Sequence, residues 1–148
     1  MKISSKGRYA LASLIFMAQR ENLKENVTVA ALSQGLGISK IYLEQVFTLL
    51  KRSGLVTSVK GAQGGYLLSR PSEEITACEI LAATETALFE ETQDTVGSTA
   101  PGIEKAMQGM LFVPADQALG ESLGQVSLRE LAEEAQREDT GEGYMYYV

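Results

Sequence analysis

Apolar residues recur at helical spacing through the N-terminal part of the chain. This pattern predicts a first amphipathic helix over residues 6–20. Thr28 is placed to cap a short helix over residues 30–34, which the glycine-containing stretch 35–37 ends. Ser39 is placed to cap a third helix that ends at Gly54. The apolar stripe of this third helix consists of Leu43, Val46, Phe47 and Leu50. Two helices joined by a tight glycine turn predict a helix-turn-helix.

Two β-prone runs follow the third helix. They cover residues 55–60 and 65–69, and a glycine-rich loop at 61–64 separates them, which predicts a β-hairpin. A hairpin placed directly after a helix-turn-helix is the wing of a winged helix. The predicted fold class is therefore mainly α with a small hairpin wing, and residues 1–70 form a winged helix-turn-helix domain.

The second half of the chain is predicted to be helical. Capping boxes begin at Thr76 and Ser127, and each is flanked by a pair of apolar residues that can form a hydrophobic staple. The stretch 89–100 between them is polar and aperiodic, so we expect a mobile loop there. These features divide the remainder into a connecting helix and polar loop over 71–100, dimerisation helices over 101–138 and an unassigned aromatic tail over 139–148.

A long apolar stripe follows Pro101, which can open a helix. Pro114 is expected to kink or restart that helix. A stripe of this length exceeds what a small domain can bury, so packing against a second copy of the chain is the favoured interpretation, and folding back onto its own winged helix is the alternative. The predicted dimer-interface residues are Ile103, Met107, Met110, Leu111, Leu119 and Leu123.

Charge is distributed unevenly between the two halves. The 148 residues are 45% hydrophobic and 22% charged, which is typical of one globular domain or one small domain with an appendage. The net charge of −6 disfavours a nucleic-acid-binding protein. However, residues 1–75 carry ten Lys/Arg against five Asp/Glu, a net of +5, whereas residues 76–148 carry three against fourteen, a net of −11. The basic half is the candidate nucleic-acid surface, unless the acidic helices are only solvated faces.

The inventory of reactive side chains is narrow. With no His and a single Cys, the chain has no Ser-His-Asp or Cys-His machinery, no His-based zinc site and no intrachain disulfide. We find no phosphate-binding glycine motif either, so we predict neither an enzyme nor a metal site. Cys78 is either a thiol activated by a helix N-terminus or, as we favour, a small buried apolar group. No apolar run approaches the ~18 residues of a membrane span and no signal core opens the chain, so a cytoplasmic protein is expected.

The third helix is the candidate recognition helix. Residues on its outward side can enter the major groove, where Glu44 can accept a hydrogen bond from cytosine and Gln45 can read adenine. The alternatives are that Ser39 only caps the helix, Tyr42 only packs and Glu44 pairs with Lys40. Basic residues at the start of the first helix suit a phosphate, and the wing tip suits the minor groove. The predicted DNA-binding residues are Lys2, Ser5, Lys6, Arg8, Ser39, Lys40, Tyr42, Glu44, Gln45, Lys60, Gly61, Gln63 and Gly64.

Four motifs in this order resemble the Rrf2 family of bacterial winged-helix transcriptional regulators, the IscR, NsrR and CymR type. They are MKISSKGRYAL at 1–11, ISKIYLEQ at 38–45, GLV at 54–56 and VKGAQGGYLL at 59–68. The resemblance implies a winged helix followed by a long dimerisation helix, with DNA read at the positions of Ser39, Tyr42 and Glu44. Many members hold an iron–sulfur cluster through three cysteines in the loop that corresponds to residues 89–100. This loop contains no Cys here, so we expect no cofactor.

These observations predict a homodimeric transcriptional regulator, most simply a repressor, that binds a pseudo-palindromic double-stranded DNA operator. The alternative is a winged-helix interaction module whose acidic C-terminal half binds a partner protein, or a small effector around Met107, Met110 and Phe112.

Overall fold

The computed structural model describes residues 1–61 and 64–141, and the mainly helical fold with a hairpin wing is confirmed. In chain order the elements are α1 (Ser5–Ala18), α2 (Val29–Leu36), α3 (Lys40–Arg52), β1 (Val56–Val59), β2 (Gly65–Leu68), α4 (Ala77–Thr84), α5 (Pro101–Met107), α6 (Val113–Gly124) and α7 (Leu128–Asp139). Short 3₁₀ turns at Glu21–Leu23 and Ser72–Glu74 follow α1 and precede α4. No helix in the described part of the chain is both long and apolar enough to cross a membrane.

Side-chain caps set the starts of the helix-turn-helix. The Thr28 hydroxyl accepts a hydrogen bond from the Ala31 amide at the start of α2, and the Ser39 hydroxyl does the same for Tyr42 at the start of α3. Helix α2 ends two residues beyond the predicted Gln34, because Gly37 takes the left-handed conformation, with φ +69°, that terminates it.

The wing is an antiparallel hairpin, and a short segment before α2 pairs with its second strand. Val56 pairs with Leu68 and Val59 pairs with Gly65, so the loop between the strands spans residues 60–64. Val27 exchanges two backbone hydrogen bonds with Tyr66, of 2.9 and 2.8 Å. A Cβ on Gly65 would lie 2.4 Å from the carbonyl oxygen of Val27, so the close approach of these two backbones requires glycine. The hairpin is thereby tied to the segment before α2.

The core lies between the helices of the winged domain. Leu14 of α1 and the predicted stripe of α3 are fully buried there, and the Phe47 ring packs against Tyr66 of β2 at 4.5 Å. Fully burying one such side chain contributes about 1.5–3 kcal/mol to folding. Helix α7 also packs against α1, with Leu128 and Ala132 buried. Two apolar residues of this helix, which is predicted to be part of the dimerisation region, are therefore buried within its own chain.

The starts of α4 and α7 are joined. Both predicted capping boxes are confirmed, Thr76 with Glu79 and Ser127 with Glu130. Thr76 and Ser127 themselves form an antiparallel bridge, in which the Ala77 amide donates to Val126 and the Leu128 amide donates to Ile75. The bridge places the acidic C-terminal helix on the winged domain.

A π-helical segment, Gln108–Phe112, joins α5 to α6 without a break. Both Phe112 and Val113 have right-handed helical dihedral angles, so the helix continues through Pro114. The amide of Val113 donates to the carbonyl of Gln108, five residues earlier. The wider π turn lies at the position where proline lacks its own hydrogen bond, and this explains why Pro114 does not end the helix.

Candidate nucleic-acid interface

Helix α3 separates its side chains into a buried stripe and an exposed face. Leu43, Val46, Phe47 and Leu50 are fully buried, as predicted. The five predicted DNA-binding residues of this helix and its cap are all exposed, namely Ser39, Lys40, Tyr42, Glu44 and Gln45. The buried stripe therefore orients the polar face of the first two turns toward solvent.

Two of these residues also have a structural role. The Ser39 hydroxyl accepts from the Tyr42 amide at 3.3 Å, so Ser39 caps α3. The Tyr42 ring meets Tyr9 of α1 edge-on, with centroids 5.8 Å apart and an interplanar angle of 72°. Tyr42 nevertheless keeps 51% of its surface exposed. Capping and packing thus hold these side chains in place and leave them accessible.

The predicted alternative for Glu44 is not observed. Among the described residues neither Glu44 nor Lys40 takes part in an ion pair, although they lie one helical turn apart. Both side chains project from the first turns of α3 and are exposed. A free carboxylate acceptor and a free ammonium donor are therefore available on the same helix.

The start of α1 carries a contact that the sequence did not indicate. The Glu85 carboxylate, just after α4, accepts hydrogen bonds from the Ser4 amide at 2.9 Å and the Ser4 hydroxyl at 2.7 Å. Lys2, Ser5, Lys6 and Arg8 are all exposed around it. Because the N-terminal end of α1 already has a carboxylate partner, a phosphate there would be bound by side chains more than by free backbone amides.

The wing tip is partly described. Lys60 is exposed, and Gly61 has φ +126°, a conformation that disfavours any residue with a side chain. The Gly64 amide donates to the Gly61 carbonyl at 3.0 Å and closes the turn. Gln63, also predicted to bind DNA, lies outside the described residues.

The lysines of this surface take no part in the ion pairs of the described residues. Ion pairs in the described part of the chain join Arg70 to Glu79, Arg129 to Glu73 and Arg137 to Glu134, all away from α3 and the wing tip. Lys2, Lys6, Lys40 and Lys60 are in none of them. Their ammonium groups are therefore available to attract an incoming polyanion.

The predicted dimer-interface residues divide between exposed and half-buried positions. Met110, Ile103 and Leu111 expose 83%, 60% and 59% of their surface, respectively. Met107, Leu119 and Leu123 are half-buried, and α6 packs against α4 of its own chain. The exposed apolar face thus lies on α5 and the π segment, with Val113 beside it.

A buried carboxylate holds the connecting loop. Glu104 of α5, only 6% exposed, accepts hydrogen bonds from the Thr95 and Val96 amides at 3.1 and 3.0 Å and from the Gln108 amide group at 3.0 Å. The Val96 amide, followed by Gln108, lowers the pKa of Glu104 below its usual value. The second half of the loop predicted to be mobile is therefore hydrogen-bonded to α5. A Glu in the first turn of a helix was visible in the sequence, but its loop partners were not.

Comparison with known proteins relates the chain to bacterial regulators. Residues 3–134 match the Rrf2 family model, described as an iron-dependent transcriptional regulator. The HTH-type transcriptional regulator IscR of Cereibacter sphaeroides is 46% identical over 86 residues, which cover 57% of this chain and 56% of that relative. IscR of Xenorhabdus nematophila is 34% identical over 131 residues, 88% of this chain and 79% of that protein. The structure of CymR, the global cysteine regulator of B. subtilis, superposes with a TM-score of 0.75 at 30% identity, covering 90% of this chain and 98% of CymR.

The family description names iron, but few side chains of this chain could bind it. The chain has one Cys and no His, and Cys78 is half-buried at the second position of α4. Among the described residues no three Cys, His, Asp or Glu side chains are grouped so that they could hold a metal ion. An iron–sulfur cluster needs several thiolate ligands. The residues present do not fit such a cluster, and the loop position is instead held by Glu104.

Proposed function

This chain belongs to the Rrf2 family of transcriptional regulators, and from that premise we propose that it is a homodimeric repressor that binds a pseudo-palindromic operator without an iron–sulfur cluster. The observation that carries the proposal is the exposed first two turns of α3, where the polar side chains form no ion pair with another described residue, on a helix anchored by its buried stripe. It acts on DNA in the cytoplasm.

Different side chains of α3 contact different parts of the DNA. Glu44 accepts a hydrogen bond from a cytosine amino group, and Gln45 makes paired hydrogen bonds with adenine. Ser39 and Lys40 contact phosphate or base edges at the N-terminal end of the helix. Tyr42, held by Tyr9, fixes the depth at which the helix enters the groove.

The remaining contacts set the position of the protein on the duplex. Lys60 and the backbone of Gly61 and Gly64 approach the minor groove, together with Gln63. Lys2, Ser5, Lys6 and Arg8 bind phosphates beside α1. Phosphate contacts supply affinity and register, but they carry no direct sequence information.

A second copy of the chain completes the regulator. The exposed apolar face of α5 and the π segment supports this step, because a long helix with exposed Met and Leu side chains gains free energy by pairing. The proposed contacts are Ile103, Met107, Met110, Leu111, Leu119 and Leu123. To reach two half-sites one turn of DNA apart, the two α3 helices of the proposed dimer need a separation of about 34 Å.

The experiment is DNA selection followed by binding as a function of salt. The full chain is expected to enrich one sequence from a random library, with a log affinity that falls linearly with log salt. Lys60→Gln lowers the affinity for all sequences and reduces the salt slope by about 0.9, whereas Lys24→Gln, an exposed lysine outside the surface, leaves both unchanged.

The base-reading step has its own variant. Glu44→Ala is expected to relax the preference at one base pair of each half-site by about 1–3 kcal/mol. Failure to enrich any sequence, with a partner protein retained through the acidic half, would support the interaction module in place of the regulator.

A further inference from the structure

Ile41 is an exposed apolar residue in the first turn of α3. It is the second residue of the helix and exposes 71% of its surface, more than its neighbour Tyr42. The core is filled by Leu43, Val46 and the rest of the buried stripe, so Ile41 contributes nothing to it.

Local structure gives no reason for isoleucine at this position. A β-branched side chain is less favourable in an exposed helix than Lys, Gln, Glu or Ala, because its rotamers are restricted against the preceding turn. The aromatic contact with α1 belongs to Tyr42, and the cap belongs to Ser39. An isolated exposed apolar residue is common on protein surfaces. This one lies among the polar side chains of a recognition helix, where the N-terminal residues meet base edges.

The major groove offers one apolar group, the 5-methyl of thymine. We infer that Ile41 is a specificity-determining residue that packs against a thymine methyl in each half-site, between the phosphate contacts of Lys40 and the base hydrogen bonds of Glu44. This inference rests on the proposed DNA-binding function. An isoleucine at this point also disfavours cytosine, because its amino group would lose water without gaining a hydrogen-bond acceptor.

The test uses the operator selected by the full chain. Each thymine is replaced in turn by deoxyuridine, which removes the methyl group and keeps the base pair. Wild-type affinity is expected to fall about fourfold per half-site at one thymine, from the transfer free energy of a single buried methyl group. Ile41→Ala should show the same loss on the natural operator and no further loss on the deoxyuridine operator.

A matched control distinguishes an effect of the position of Ile41 from the general effect of removing an exposed apolar side chain. Leu23→Ala removes an apolar side chain that is 64% exposed in the 3₁₀ turn after α1, away from α3, and should leave the deoxyuridine effect intact. Because Ile41 is exposed and alanine favours helix, the variant should unfold at the wild-type temperature or above it.

The outcomes are distinct. A gain in wild-type affinity when 5-methylcytosine replaces cytosine at the same position, which restores the methyl group, would add support. An Ile41→Ala protein that still loses affinity on deoxyuridine, or a wild-type protein indifferent to every deoxyuridine, overturns the role of Ile41 while DNA binding stands. If no operator is enriched at all, the proposed function fails first.

Discussion

At the scale of single residues, Glu104 is the most deeply buried carboxylate among the described residues. It is nearly fully buried, yet two loop amides and the Gln108 side chain donate to it. Hydrogen bonds to the charged form offset the cost of burial, which is why its pKa is lowered. The carboxylate therefore ties residues 95–96 to α5 without any metal.

Glu104→Gln is expected to lower thermal stability and to make the Thr95 and Val96 amides exchange faster with solvent. A group whose folded pKa lies below its unfolded value, about 4.3, stabilises the fold above that value and loses its contribution as pH falls through the folded pKa. Wild-type stability should therefore fall more steeply below about pH 5 than that of the variant. Unfolding temperatures across this pH range, with Glu91→Gln as an exposed loop control, test the assignment. Equal acid slopes in all three proteins would contradict it.

Residue-level prediction from the sequence succeeded where partners are local. The α3 stripe and the caps at Ser39, Thr76 and Ser127 depend on spacings of three or four residues, and each lies where the pattern places it. Glu85 and Ser4 are 81 residues apart, so no local spacing indicates their contact. The loop bonds of Glu104 were missed for the related reason that an aperiodic loop has no pattern to read.

At the scale of elements, the bridge between the starts of α4 and α7 joins two parts of the chain that periodicity treats separately. Each helix begins with a capping box, and the two N-cap residues face each other across an antiparallel bridge. The Glu79 carboxylate accepts from the Thr76 amide, which, with Arg70 nearby, lowers its pKa. Capping and bridging thus reinforce the same junction.

Thr76→Ala removes the side-chain cap at the start of α4, on one side of that junction. We expect a loss of about 1 kcal/mol in the free energy of unfolding, since the Glu79 amide loses its acceptor at the start of α4. This corresponds to a fall of about 2–4 °C in the unfolding temperature of a chain of this size. Calorimetry beside Thr86→Ala, an exposed threonine beyond the end of α4, measures the effect of the cap itself. A drop no larger than that of the control would show that the cap is dispensable.

The helix around Pro114 shows a limit of element prediction. A proline inside a helical pattern predicts a kink or a restart, because it lacks an amide and clashes with the carbonyl four residues earlier, here Met110. The π segment contains Met110 and shifts the bonding pattern by one residue. One residue inserted into a helical turn shifts the phase of the hydrophobic pattern, as a kink or a restart at proline also does, so only the structure shows that the helix is continuous.

At the scale of the whole molecule, the charge split of +5 and −11 has a spatial counterpart. Lys6, Lys40 and Lys60, which join no ion pair among the described residues, lie on α1, on α3 and at the wing, while α7 carries exposed carboxylates such as Glu133 and Glu138. An acidic body repels DNA in every orientation except the one that presents the basic surface. We expect this arrangement to suppress non-specific binding and to leave the operator contacts to provide most of the affinity.

At the same scale, we expect a second copy of the chain to pack on the exposed apolar face of α5 and the π segment. Substituting Met110→Lys together with Leu111→Lys places two charges where a partner copy is proposed to pack, and burying them unpaired would cost several kcal/mol. We expect native mass spectrometry to show a dimer for the wild-type chain and a monomer for the double variant. Both residues are exposed in the single chain, so its fold should be retained. Gln117→Lys with Ser122→Lys adds the same charge at exposed polar positions on α6 and should remain dimeric. We expect the monomer to contact one half-site only, so its operator affinity should fall steeply while its preference for each base persists. A double variant that stays dimeric places the interface elsewhere on the chain.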